Sequence, residues 1–204
     1  MRLRVRTFLT AAFCAVIATG STAQERDRLP DFATCMDIEI ARFERALTWL
    51  HRREGGAEEF SIAGVQGVYY CGSVGIVSCD RSEAPIPCQK QLVDRQDNLS
   101  VAVLNHLPKP DAVAFDTDVW DGHWAVPFYA RAFALARGTS AGPDCAGSTE
   151  VLQVWCEARE ANTRLQNAVL AWEVARYLDL VAPAVEIGWV NPPPPVRPRL
   201  RPEQ

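Results

Sequence analysis

Apolar residues recur at spacings of three and four along four stretches of the chain, which is the pattern of helices that bury one face. The first stretch follows Asp31, a suitable N-cap, and stops at Gly55-Gly56. The second stops at Pro108 and Pro110, because proline cannot continue a helix. We therefore predict helices over 31–53, 88–106, 124–137 and 148–181, and the last carries the strongest pattern.

The segment from Phe60 to Cys79 has a different character. Valine, isoleucine and tyrosine are frequent in it, and glycine interrupts them at positions 64, 67, 72 and 75. β-Branched and aromatic residues favour strands, and glycine favours turns between strands. The sequence therefore predicts a small β-hairpin, or an ordered glycine-rich loop, within a mainly α fold that is a single domain of four to five helices. A turn containing Pro85 and Pro87 is expected to separate the hairpin from the next helix.

The first 23 residues have the three parts of a secretory signal peptide. Arg2, Arg4 and Arg6 are followed by an apolar stretch over 8–19, and Ser21-Thr22-Ala23 supplies small residues for cleavage. The apolar stretch is shorter than the roughly 20 residues of a stable membrane span. We expect cleavage after Ala23, no membrane span afterwards, and a periplasmic or secreted protein. Arginine outnumbers lysine by 19 to 2, which is typical of a GC-rich bacterial genome.

The charge of the chain divides into three parts. The whole sequence has 21 basic and 25 acidic residues, a net charge of −4. The signal contributes +3 and the tail over 191–204 contributes +2, which leaves −9 on the body over 24–190. Nucleic acid is excluded as a partner, because phosphate binding needs a strongly basic face. The Pro/Arg-rich tail is predicted to be disordered, either as an end without a partner or as an arm that contacts an acidic partner or a cell-wall polymer.

Six cysteines remain after signal cleavage, an even number in an oxidising compartment, and they predict three disulfides. Fifteen pairings are possible for six cysteines. Proximity along the chain favours Cys71 with Cys79 and Cys145 with Cys156, which leaves Cys35 for Cys88. The cysteines form no CxxC pair and have no neighbouring histidine, so we predict neither a structural metal nor another cofactor.

An acidic loop precedes the predicted helix over 124–137. Asp116, Asp118, Asp121 and His123 lie within eight positions, and Trp120 and Trp124 bracket the last two. An EF-hand calcium loop would need an oxygen ligand in place of Trp120 and a glutamate in place of Pro127. We therefore predict a solvated loop that holds no metal. Its candidate binding residues are Trp120, Asp121, His123 and Trp124, because exposed aromatic surfaces bind sugars and peptides.

A second candidate site follows the first predicted helix. Glu54, Glu58 and Glu59 stand before the glycine-rich segment, and glycosidases use paired carboxylates. Glu54-Gly55 and Gly67-Val68-Tyr69-Tyr70 resemble the Glu-Gly and Gly-Tyr-Tyr elements of phage-type lysozymes over less than a tenth of the chain. No histidine follows the tyrosines and the spacing differs, so no family is assigned. The resemblance implies a cell-wall glycosidase with Glu54 as general acid.

Other catalytic motifs are missing from the sequence. It contains no GxSxG, SxxK, HExxH, P-loop or dinucleotide-binding glycine motif. The sequence therefore favours an exported, non-catalytic binding protein of the cell envelope, with the glycosidase as the alternative. Trp155 and Trp172 lie on the apolar stripe of the last helix and are predicted to be in the core.

Overall fold

The computed structural model describes residues 30–52, 64–113, 120–138, 145 and 147–192, with side chains at all of these except 64–66 and 120–123. The described residues form five α-helices and a 3₁₀ turn at Pro110–Ala112. The helices are α1 Phe32–His51, α2 Gly64–Asp80, α3 Pro85–Asn105, α4 Trp120–Ala136 and α5 Glu150–Tyr177. The mainly helical, disulfide-bonded fold that the sequence predicts is confirmed. The predicted signal peptide and the tail beyond residue 192 lie outside the described residues.

Helix α1 begins where the sequence predicts. The Asp31 carboxylate accepts hydrogen bonds from the Thr34 amide at 3.1 Å and from the Thr34 hydroxyl at 2.6 Å. These bonds lower the pKa of Asp31, because they stabilise its ionised form. The apolar row of α1 is buried, as its spacing requires: Phe32, Met36, Ile40, Phe43, Leu47 and Leu50.

Helix α5 lies at the centre of the fold and contacts α2, α3 and α4. Between Ala168 and Ala175 every side chain except Leu170 is buried. Trp172 is fully buried, with its ring 5.4 Å from that of Phe43 in α1 and 5.0 Å from that of Trp189. Because neighbours surround it, this half of α5 has no solvent-facing stripe. Helix α5 as a whole continues without a break through Asn162 and Thr163.

The segment predicted as a β-hairpin is helix α2, and that prediction is wrong. Helix α2 packs against α1, α3 and α5. Val68, Cys71 and Cys79 are buried at helical spacing, and Gly72 lies against Asn162 of α5. Glycine allows two helix backbones to approach closely, and the packing gained there outweighs the weak helix propensity of the segment.

Three disulfides are present: two join neighbouring helices, and one joins Cys145, which precedes α5, to that helix. They pair Cys35 with Cys71, Cys79 with Cys88, and Cys145 with Cys156, with Cα–Cα distances of 5.5, 5.3 and 6.2 Å. The predicted Cys145–Cys156 pair is confirmed. The predicted Cys71–Cys79 and Cys35–Cys88 pairs are wrong: Cys71 and Cys79 lie on one helix about 12 Å apart along its axis, beyond the reach of a disulfide.

Two helices begin earlier than the sequence predicts. Helix α3 starts at Pro85 instead of residue 88, because proline lacks only an amide proton that the first turn would leave unpaired. Helix α4 starts at Trp120, so that Pro127 lies inside the helix and residues 120–123 belong to its first turn. The predicted loop therefore ends before Trp120.

Gly72 provides a test of the α2–α5 contact. A Cβ atom at position 72 would lie 1.9 Å from Asn162 Oδ1, and Asn162 is buried and donates to the Tyr69 carbonyl oxygen at 3.1 Å. Gly72→Ala is therefore expected to lower the free energy of unfolding by about 1–3 kcal/mol, the usual cost of overpacking. Urea denaturation measures the change.

Gly75→Ala is the matched control in the same helix. Its Cβ would lie 3.0 Å from the two methyl carbons of Leu92, a much smaller overlap than at position 72, and alanine has the higher helix propensity. We expect a near-neutral effect. Equal losses in the two variants would mean that Asn162 does not hold α2 at this distance.

Candidate functional site

An open groove of about 600 Å³ lies between the second half of α3, the end of α4 and the middle of α5. Its walls combine apolar side chains with charged groups, and its volume is that of a typical small-ligand site. We call it the cationic groove. Its lining residues are Asp97, Ser100, Val101, Leu104, Asn105, Leu107, Lys109, Phe133, Ala136, Arg137 and Arg164.

One wall of the cationic groove contains a two-point ion pair. Arg164 of α5 donates from Nε to Asp97 Oδ1 at 2.9 Å and from Nη2 to Asp97 Oδ2 at 2.9 Å. The side chains are 30% and 39% exposed, so the pair is partly shielded from water. A bidentate arginine is held in one orientation, and Nη1 of Arg164 takes no part in these two bonds. Asp97 thus positions Arg164 at the groove.

Two further cations complete the charge of the cationic groove. Arg137 is exposed at the end of α4, and Lys109 is exposed just beyond α3. With Arg164 they give three positive charges against the one carboxylate of Asp97, a local net charge of +2. The predicted body carries −9, so the cationic groove has the sign opposite to the rest of the domain.

The middle of the cationic groove is apolar. Leu107 and Phe133 are buried, with 8% of each exposed, and Ala136 is 3% exposed. Val101 is 56% exposed although it lines the concavity. An apolar side chain with that exposure in a groove is available for ligand contact, since covering it is favourable.

A smaller concavity of about 330 Å³ lies beside Trp155, at the start of α5. Trp155 is 37% exposed, and the Arg159 guanidinium lies 4.8 Å from its ring centroid. The prediction that Trp155 is a core residue is wrong, whereas Trp172 is buried as predicted. Val151 and Leu152, in the first turns of α5, are exposed as well.

Several polar side chains are buried in the helix interfaces. Glu173 is fully buried on α5, and neither of its carboxylate oxygens has a hydrogen-bond partner among the described residues. Desolvation raises the pKa of Glu173 well above its ordinary value. Gln96 on α3 is fully buried too, with both amide atoms unpaired in the described part of the chain. Neither residue lines the cationic groove.

The acidic residues proposed for catalysis are not placed by the structure. Glu54, Glu58 and Glu59 lie outside the described residues. The lysozyme-like resemblance also needs a small sheet after them, yet Gly67, Tyr69 and the rest of that segment from residue 64 onwards lie in helix α2.

The residues proposed for ligand binding are placed in part. Trp120, Asp121 and His123 lie in the first turn of α4, and the structure does not describe their side chains. Trp124 is half-buried, with its ring 6.3 Å from that of Phe128 and 6.0 Å from that of Tyr177. These contacts place Trp124 against the core, and it does not line the cationic groove.

Sequence reasoning missed the cationic groove. Asp97 and Arg164 are 67 residues apart, and each lies in a helix where a charged residue is ordinarily a solvated surface group. Lys109, one of two lysines in the chain, stands between Pro108 and Pro110. This isolated lysine is the feature of the sequence that could have pointed to the cationic groove.

Neither a metal-binding cluster nor a membrane-spanning helix occurs in the part of the chain that the structure describes. Nowhere in it do three His, Cys, Asp or Glu side chains gather in a way that could hold a metal ion. None of its helices combines the length and the apolar character needed to cross a membrane.

No protein-family model matches the sequence, and no curated protein or solved structure shows significant similarity to it.

Proposed function

We propose that this chain is an exported, non-catalytic binding protein of the bacterial periplasm or cell envelope, and that it holds an anionic ligand in the cationic groove. The signal-like residues 1–23, with cleavage expected after Ala23, support export. The three disulfides fit an oxidising compartment. Three kinds of ligand would be electrostatically complementary to the groove: an acidic envelope protein, an acidic cell-wall polymer or a small anion.

The observation that carries this proposal is the cluster of Lys109, Arg137 and Arg164 in one concavity. The net negative charge of the body repels anions at long range, so an anion can bind only where nearby positive charges offset that repulsion. Arginine supplies it well, because its planar guanidinium forms two parallel hydrogen bonds with carboxylate or phosphate. Asp97 holds Arg164 in place for such a contact.

The same geometry favours binding over catalysis. Asp97 is the carboxylate among the residues that line the cationic groove, and both of its oxygens accept bonds from Arg164. A general base needs an oxygen that can reach a proton on the substrate. With both oxygens engaged, Asp97 is better suited to orienting Arg164 than to moving protons.

Calorimetric titration of the oxidised protein with hexaglutamate, tripolyphosphate and decanoate tests the proposal. At low salt at least one of these anions is expected to bind. The double variant Lys109→Ala, Arg137→Ala is expected to weaken binding by about tenfold or more, since each charged hydrogen bond contributes roughly 1.5–3 kcal/mol. Raising the salt concentration about tenfold should also weaken it.

The matched control removes the same charges elsewhere. Lys90 and Arg131 are exposed, and neither lines the cationic groove, so Lys90→Ala with Arg131→Ala should leave the affinity unchanged. The proposal fails if none of the three anions binds, or if the two double variants lose affinity equally.

A further inference from the structure

The charged groups of the cationic groove lie at its two ends. A side chain placed at Gly138, next to Arg137, would begin 3.9 Å from Arg164 Cδ, so Arg137 and Arg164 share one end. Lys109 lies just beyond the C-terminal end of α3, about 12 Å along the helix axis from the level of Asp97. There the Tyr129 hydroxyl donates to the Pro108 carbonyl oxygen and ties this turn to α4.

Most of the side chains that line the space between these ends are apolar. Val101 and Leu104 lie three residues apart on one face of α3, and Phe133 faces them from α4. Three residues of helix rise by about 4.5 Å, so the apolar strip is long enough to contact several methylene groups. An extended polyanion would place charges along this strip, where the lining side chains carry no positive charge to pair with them.

We infer that the ligand of the cationic groove is an amphiphilic anion. Its acid group, a carboxylate or a phosphate, lies at the Arg137 end against Arg164. Its hydrocarbon body covers Val101, Leu104 and Phe133. This inference rests on the proposed function and narrows it, because it distinguishes a small amphiphile from an acidic protein or polymer.

Titrations with decanoate, decyl phosphate, decanol and acetate test the two parts of the ligand separately. Decanoate and decyl phosphate are expected to bind at least tenfold more tightly than decanol, which lacks the charge, and acetate, which lacks the apolar body. Arg137→Ala should weaken decanoate binding by about tenfold, since a charged hydrogen bond is lost.

Val101→Ser tests the apolar strip. It removes an exposed apolar side chain, so the fold should survive with an unchanged melting temperature, while decanoate affinity falls by about fivefold. Val151→Ser is the matched control, since Val151 is 61% exposed on α5 and does not line the cationic groove. It should leave the affinity of the protein for decanoate unchanged.

The outcomes separate the two proposals. If hexaglutamate binds as tightly as decanoate and Val101→Ser has no effect, the amphiphile is wrong while anion binding stands. If decanol binds as well as decanoate, the acid group is not recognised and the inference fails. If no anion binds at all, the proposed function fails together with it.

Discussion

Replacing Glu173 with leucine is expected to stabilise the folded protein at pH 7 by about 1–3 kcal/mol, the usual cost of burying a polar group without a hydrogen bond. Glu173 is fully buried on α5, and its carboxylate has no hydrogen-bond partner among the described residues. Among the described residues, nothing therefore offsets the desolvation of this group in the folded state. Leucine is similar in size and carries no polar atom. Urea denaturation at pH 7 measures the gain.

The pH dependence of the free energy of unfolding in Glu173→Gln tests the same carboxyl group. Burial raises the pKa of Glu173 above the model-peptide value of 4.5, so the folded state keeps a proton that the unfolded chain releases. Stability is therefore expected to fall as pH rises from about 4.5 towards the raised pKa, by up to about 1.4 kcal/mol per pH unit. Glutamine cannot ionise, and its variant should lose this slope.

Glu157→Gln is the control for both experiments, since Glu157 is exposed on the same helix. It should leave the stability and its pH dependence unchanged. If Glu173→Leu destabilises the protein and Glu173→Gln keeps the wild-type slope, the carboxyl has a partner that compensates its burial.

Removing the Cys35–Cys71 disulfide by Cys35→Ala with Cys71→Ala is expected to lower the free energy of unfolding by about 4 kcal/mol. The two cysteines are 36 residues apart in sequence, and their bond joins α1 to α2. Closing so long a loop removes much of the freedom of the unfolded chain. Both positions are buried, so reduction by water-soluble thiols should be slow in the folded protein.

The Cys145–Cys156 disulfide is the comparison, with a separation of 11 residues. Its double alanine variant is expected to cost about 3 kcal/mol, because the closed loop is shorter. Denaturation of both variants beside the oxidised wild type gives the difference. A larger loss at Cys145–Cys156 would show that loop length does not set the order of these contributions.

Local signals predicted the helices that have one buried face. In α1 the Asp31 cap, the apolar row and the glycines after it are all readable from the sequence, so its limits were nearly right. In α2 the local signals were misleading. Its β-branched residues and glycines pack against α1 and α5, which lie far away in the sequence. The disulfide error followed from this, since a hairpin would have brought Cys71 near Cys79.

The candidate site was beyond prediction for a related reason. Its ion pair joins Asp97 to Arg164 across two helices whose mutual register depends on the packed core. Nothing near either residue in the sequence indicates its partner. By contrast, the number of disulfides can be predicted from the number of cysteines and an oxidising compartment, without knowing how the helices pack. The expectation of three disulfides was confirmed.

The central place of α5 has a consequence for the order of folding. Helix α5 is the last of the described helices, and its Arg176 binds Glu44 of α1 across 132 residues with bonds of 3.0 and 3.1 Å. Contacts between such distant residues form late, after the chain has lost much of its freedom. A nascent chain therefore lacks these core contacts until α5 has been synthesised. If the chain is exported as we propose, this late assembly would keep it unfolded during translocation and postpone its collapse to the far side of the membrane.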